Sequence, residues 1–165
     1  MSDCQYKSEN TLAVMSADPG IHGAFCIMDI DGTILDLTPR HKTRRELRDY
    51  LTHWRDAIRI AYVERVGAMP GDGKVGSFSF GQGYGEILMG LECVGILYDL
   101  VDPRVWQASM KCMTGGNKAI TRRKAESLWP GRKWTNTNSD SCLIAEWARR
   151  TLLDAQAQKL KRMGR

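Results

Sequence analysis

No stretch of this sequence approaches the roughly 20 consecutive apolar residues that a membrane-spanning helix needs. The polar N-terminus, residues 1–11, does not read as a secretory signal either. Both absences lead to the expectation of a soluble, cytoplasmic protein with no membrane partner. The five cysteines (Cys4, Cys26, Cys93, Cys112 and Cys142) are odd in number, widely spaced and free of any CxxC pair. They therefore imply neither a disulfide framework nor a zinc site and read as reduced thiols. The three histidines, His22, His41 and His53, share no metal-ligand spacing. Nucleotide-binding signatures are missing as well. Gly81-Gln82-Gly83-Tyr84-Gly85 lacks the GxGxxG spacing and an immediately preceding apolar strand, and Gly73-Lys74 has no glycine at the spacing of a phosphate-binding loop. No nucleotide cofactor is expected, and there is no internal repeat.

What is there fits one globular domain over residues 1–165, with a polar arm at 1–11 and a basic tail at 158–165. Its 42% apolar content suffices for a real core. The net charge of +5 is modest, but the surplus is segregated in the last third of the chain. Lys118, Arg122, Arg123, Lys124, Arg132 and Lys133 stand against a single Glu126. Arg149, Arg150, Lys159, Lys161, Arg162 and Arg165 are opposed only by Asp154. Each cluster is either a solvated basic face or a surface for a polyanion, and the segregation favours the polyanion.

Short apolar runs at 12–17 and 23–28 predict two strands, and Asp31-Gly32 predicts a tight turn into a third at 33–35, making an antiparallel meander. Leu47, Tyr50, Leu51 and Trp54 recur at helical spacing across 44–55, and an apolar strand follows at 58–63. A glycine-rich loop at 67–76 precedes an apolar helix at 80–91, a strand at 95–101 and a short helix at 105–108. Two more helices are expected: 120–129, stopped by Pro130-Gly131, and 139–157, with Ser139 as N-cap. Strands first and helices between the later ones indicate the α/β class, a mixed sheet flanked by helices.

Three acids stand out. Asp18 directly follows the first apolar strand, where Pro19-Gly20 turns the chain, and Glu64 closes the strand at 58–63. Taken singly, each is an ordinary strand-end acid. Asp140 shares a helical face with Leu143, Ile144 and Trp147, so the face that packs on the sheet also carries an acid in its first turn. Three such carboxylates can converge at one sheet edge, an arrangement tolerated where hard divalent ions bind. Two ions about 4 Å apart activate water and stabilise the leaving oxygen of a phosphodiester.

The sequence resembles the RuvC family of Holliday-junction resolvases, in particular the phage and prophage versions, over residues 13–150. The resemblance is carried by Ser16-Ala17-Asp18-Pro19-Gly20 with Gly23, by Tyr62-Val63-Glu64-Arg65-Val66, and by Ser79-Phe80-Gly81-Gln82-Gly83-Tyr84-Gly85. Pro103-Arg104-Val105-Trp106-Gln107 and Ser139-Asp140-Ser141-Cys142-Leu143-Ile144-Ala145 complete it, in the family's order. It implies an RNase H-like mixed five-stranded sheet flanked by helices, a homodimer, and paired nicks across a four-way junction. It further implies Mg2+, with Mn2+ as a substitute, on Asp18, Glu64 and Asp140, and Lys118 near the scissile phosphate. The family usually carries another Asp three or four residues before the last-helix acid, where this chain has Thr137 and Asn136. Asn136 as an amide ligand of a weaker second metal site, a shifted register and an inactive variant all stay open. Glu146, six residues on from Asp140, falls on the opposite side of the helix.

Branched DNA is the expected partner, with Met69, Lys74, Lys118, Arg122, Arg123, Lys124 and Lys133 as contacts. The loop carrying Met69 and Lys74 reads equally as a plain surface loop. Many relatives place an aromatic wedge where this chain has Gly67, which leaves Met69, Phe78 and Phe80 as candidates, the two phenylalanines equally as core. The tryptophans read as packing residues, with Trp134 beside Lys133 also a candidate for DNA contact. A junction-binding protein with weak or no cleavage is the alternative function, and an RNA-cleaving relative of RNase H a third.

Overall fold

The structure, a computed structural model, describes residues 12–20, 22–67 and 73–163. Met69 lies outside the described residues. Five strands, β1 (Ala13–Ala17), β2 (Ala24–Asp29), β3 (Ile34–Pro39), β4 (Ile58–Glu64) and β5 (Tyr98–Val101), form one sheet in the order β3-β2-β1-β4-β5. β1 is central. It pairs antiparallel with β2 and parallel with β4, and β4 pairs parallel with β5, so the sheet is mixed as the element order predicts. Every residue of β1 is buried, as expected for a strand covered on both faces.

Alternation along the strands builds two cores. Met15, Ala17, Phe25 and Ile27 face one side and meet Leu47, Leu51, Ile87 and Leu91 of two helices, α1 (Arg44–Trp54) and α2 (Lys74–Val94). Val14, Cys26 and Met28 face the other, under α3 (Pro103–Ser109), α4 (Ala119–Leu128) and α5 (Asn138–Met163). α1 opens with a capping box: Thr43 accepts the Glu46 amide and the Glu46 carboxylate accepts the Thr43 amide. α2 stops at Gly95, whose φ of 72° lets the Ile96 amide reach back to the Leu91 carbonyl at 3.0 Å. Among the described residues, no helix is long and apolar enough to cross a membrane.

Several boundaries depart from the sequence reading: β3 runs on to Pro39, and the last helix continues to Met163 through most of the segment expected as a basic tail. α2 begins at Lys74, six residues ahead of the expected start, so Lys74, expected in a loop, belongs to the helix, as does Phe78. Its first turns leave Val75 and Phe78 exposed, so no buried stripe marks them in the sequence. β5 is shorter than expected because Gly95 closes α2 first. The last helix starts at Asn138, and Ser139 is a buried helical residue and not its N-cap. The Thr135 hydroxyl takes that part, accepting the Thr137 and Asn138 amides at 3.3 Å each.

Candidate active site

Parallel pairing of β1 with β4 sets Ala17 opposite Val63, so the next residues, Asp18 and Glu64, leave neighbouring strands at the same edge of the sheet. α5 lies across β1 and β2. Its first turn is pinned there by the Ser16 hydroxyl, which donates to the Ser141 carbonyl at 2.6 Å. This brings Asp140, fully buried, to the same edge from above the sheet.

Each carboxylate is held by a different partner. Asp18 Oδ1 accepts the Gly20 amide at 3.0 Å. Glu64 Oε1 accepts the indole N–H of Trp106, a wholly buried α3 residue, at 2.8 Å. Asp140 Oδ2 is ion-paired with the ammonium of Lys118, which stands at the N-cap of α4, while its Oδ1 is buried with no partner.

The three acids feel one another. Burial pushes the Glu64 carboxyl up to about 7, and the charges of Asp18 and Asp140 add to the shift. Burial also raises Asp18, which the Gly20 amide opposes and the charge of Asp140 reinforces. Burial works against the charge of Lys118, but its pairing with Asp140 and the fields of Asp18 and Glu64 outweigh it and hold the ammonium above its ordinary range.

Among the described residues, no three His, Cys, Asp or Glu side chains already stand in position to hold one ion. The donor set nevertheless fits a hard divalent cation. It consists of the oxygens of two half-buried carboxylates and of the buried Asp140, one of them orphaned, whose mutual repulsion a cation removes. Mg2+ asks for only one or two carboxylates per ion, with water and phosphate oxygens completing the shell.

The other sequence-designated residues fall in two groups around this edge. Lys74 opens α2, next to Gly73 and Val75, which line a groove of about 580 Å3 together with Phe80, Pro103 and the two residues that follow Glu64, Arg65 and Val66. Phe78 is exposed and Phe80 half-buried. On α4, Thr121 and Ala125 face the core, which leaves Arg122 and Arg123 exposed and Lys124 half-buried. Lys133 is exposed in the turn before α5. Asn136 is exposed in the same turn. Trp134 packs inward on Trp129, ring centroids 5.6 Å apart, and its indole N–H donates to the Trp129 carbonyl. Glu146 faces away from the acids and pairs with Arg149 and Arg150.

Two residues beside the acids carry no sequence signal of their role. The sequence marks Trp106 only as a packing residue, whereas it both packs and orients Glu64. Arg40 follows β3 and places its guanidinium against the Asp18 turn, Nη1 donating to the Pro19 carbonyl at 3.3 Å.

No protein-family model and no curated protein sequence matches the chain. Among solved structures, T. thermophilus RuvC in complex with a Holliday-junction substrate matches with a TM-score of 0.66 at 12% identity, covering 86% of this chain and 96% of that one. A second Thermus thermophilus RuvC structure matches with a TM-score of 0.66 at 13% identity, covering 87% and 97%. The fold is therefore of the RuvC, RNase H-like kind. At such low identity the likeness speaks for the fold alone.

Proposed function

We propose that this chain, sharing the RuvC fold, is a Mg2+-dependent, structure-selective endonuclease that resolves four-way and branched DNA by paired phosphodiester nicks. The observation that carries the reading is the meeting of Asp18, Glu64 and Asp140 at one sheet edge, with Glu64 driven to about 7 by burial and by the other two acids. Carboxylates kept this close without cationic compensation are costly, and a site that keeps them is built to receive cations.

Asp18, Glu64 and Asp140 would hold the metal, with Asn136 as an amide donor near the second ion and Mn2+ accepted in place of Mg2+. The ions supply an activated water and stabilise the leaving oxygen. Trp106 fixes the rotamer of Glu64, and Gly20 fixes that of Asp18. Lys118 is the counter-ion of Asp140 and, once freed from it, is placed to meet a phosphate oxygen as charge develops there. DNA would run over the basic face of Arg122, Arg123, Lys124 and Lys133 on one side, and past Lys74 and Met69 on the other. Two symmetric nicks require two sites related by a two-fold axis, and α2, with Val75, Phe78 and Met89 exposed, supplies the apolar face for a homodimer.

The test is a synthetic four-way junction. Asp18→Asn or Glu64→Gln is expected to abolish nicking in Mg2+ while junction affinity, measured in Ca2+, stays within a few-fold. Unimpaired cleavage by either variant contradicts the assignment. The exposed amide of Asn136, standing where the family has an acid, favours one second reading, a junction-binding protein with weak or no cleavage. That reading prevails if the wild-type chain binds the junction tightly and nicks it in neither Mg2+ nor Mn2+.

A further inference from the structure

The turn that carries Asp18 is closed on itself. The Asp18 amide donates to the Ala24 carbonyl at 3.0 Å, and the Gly23 amide donates to the Gly20 carbonyl at 2.7 Å. A Cβ on Gly23 would overlap the Asp18 carbonyl, so the chain doubles back here at a distance only glycine permits. Because the Gly20 amide also holds Asp18 Oδ1, the shape of the turn fixes the direction of the carboxylate.

One residue from beyond the end of β3 grips both limbs of this turn. Arg40, the first residue after β3, donates its backbone N–H to the Gly23 carbonyl at 2.9 Å and its guanidinium Nη1 to the Pro19 carbonyl at 3.3 Å. The other side of the guanidinium lies flat on α2 at Gly83, where an added Cβ would overlap Cζ and both terminal nitrogens. Gly81 and Gly85, in the same helix, have nothing within 4 Å of an added Cβ. The slot is therefore specific to position 83.

We infer that Arg40 is a positioning residue that clamps the Asp18 turn in its ligand-presenting shape, and that Gly83 is glycine because the clamp passes over it. The metal consequence rests on the function proposed above, whereas the clamp itself does not. A planar, always-charged fork suits the task, since it can hold a buried carbonyl while lying against a helix backbone. Supports of this kind act on the metal through the ligand that they orient.

The test uses the full chain with Arg40→Ala, Arg40→Lys, Gly83→Ala and the Arg40→Ala/Gly83→Ala double variant, and it reads three quantities. The first is amide hydrogen exchange at Asp18, Gly20 and Gly23 without metal, expected to speed up by about tenfold or more in Arg40→Ala and Gly83→Ala. The second is Mn2+ affinity by calorimetry, expected to fall by about tenfold in the same two variants and to be partly restored by Arg40→Lys. The third is melting temperature. The obstructing atoms in Gly83→Ala are the end of a flexible side chain, and alanine suits a helix interior. Gly83→Ala should therefore push the guanidinium aside and keep the wild-type melting temperature while losing the turn's protection, an outcome that a merely structural role does not give. In the double variant, alanine at 83 should add nothing to Arg40→Ala. Wild-type exchange at these amides in Arg40→Ala, or effects of the two substitutions that simply add, overturns the clamp. If wild-type protein takes up no Mn2+ that Asp18→Asn abolishes, the proposed function falls, and the exchange data still decide the clamp.

Discussion

Glu64 and Glu146 show how neighbours decide what a carboxyl does. Burial pushes the Glu64 carboxyl up to about 7, the charges of Asp18 and Asp140 add to the shift, and the Trp106 indole N–H only partly opposes it. Glu146 is buried, and burial works against its charge as well. Hydrogen bonds from Arg149 and Arg150 at 2.7 to 2.9 Å outweigh that cost and hold its carboxyl below the usual range. Arg149 in turn donates to the Ile30 carbonyl and lies against Gly32, so the cluster ties the β2–β3 turn to α5. Glu146→Gln should therefore destabilise the fold at pH 7. Breaking a buried pair costs about 3–5 kcal/mol, and the half-exposed Arg150 brings the expectation down to roughly 2 kcal/mol. A group whose folded pKa is depressed stabilises the protein above its unfolded pKa of 4.5, and that contribution is lost as pH falls through the folded value. Urea unfolding of wild type and variant at pH 7, 5 and 3.5 should show the gap closing only in the most acidic sample. A gap that stays constant would assign Glu146 to packing.

At the scale of elements, α4 carries the most testable surface. Thr121 and Ala125 bind it to the core, so Arg122 and Arg123 face outward as a consequence of helical periodicity. Replacing both with alanine is expected to weaken junction binding and to flatten the slope of log affinity against log salt by roughly 0.9 per lost phosphate contact on duplex arms. An unchanged slope would make α4 a solvated face and move the DNA path to the basic C-terminal stretch of α5. This outward face was legible in the sequence, as were the five strands, four as apolar runs closed by an acid and β3 by the Asp31-Gly32 turn that leads into it. The three acids were legible as strand-end and helix-face residues, although the family likeness was needed to draw them together. The start of α2 was not legible, because a helix whose first turns pack on nothing leaves no periodic trace. The pairing of Arg40 with Gly83 was equally hidden. Contacts between residues distant in sequence are decided by how β3 ends and α2 lies, and a lone arginine and a lone glycine carry no mark of each other.

At the scale of the whole molecule, the acids come from the first strand, the fourth strand and the last helix, so the site belongs to no local segment. Its two strand acids become neighbours only when β1 and β4 pair in parallel, and a parallel pairing of non-consecutive strands is among the slower events available to a chain, since loop closure must come first. Asp140 joins only after α5 docks. The parallel pairing that builds the edge therefore also fixes when a cation can act. An ion held there as proposed is expected to meet the site late and to stabilise the finished state alone. Stopped-flow refolding should run at the same rate with and without millimolar Mg2+, while unfolding in denaturant slows with rising Mg2+ by a factor approaching 1 + [Mg2+]/Kd. Asp18→Asn should erase that slowing. Acceleration of refolding by the ion would mean instead that the acids meet early, before the sheet is complete. In kinetic terms, an ion held as proposed would be a brake on unfolding and a bystander to folding.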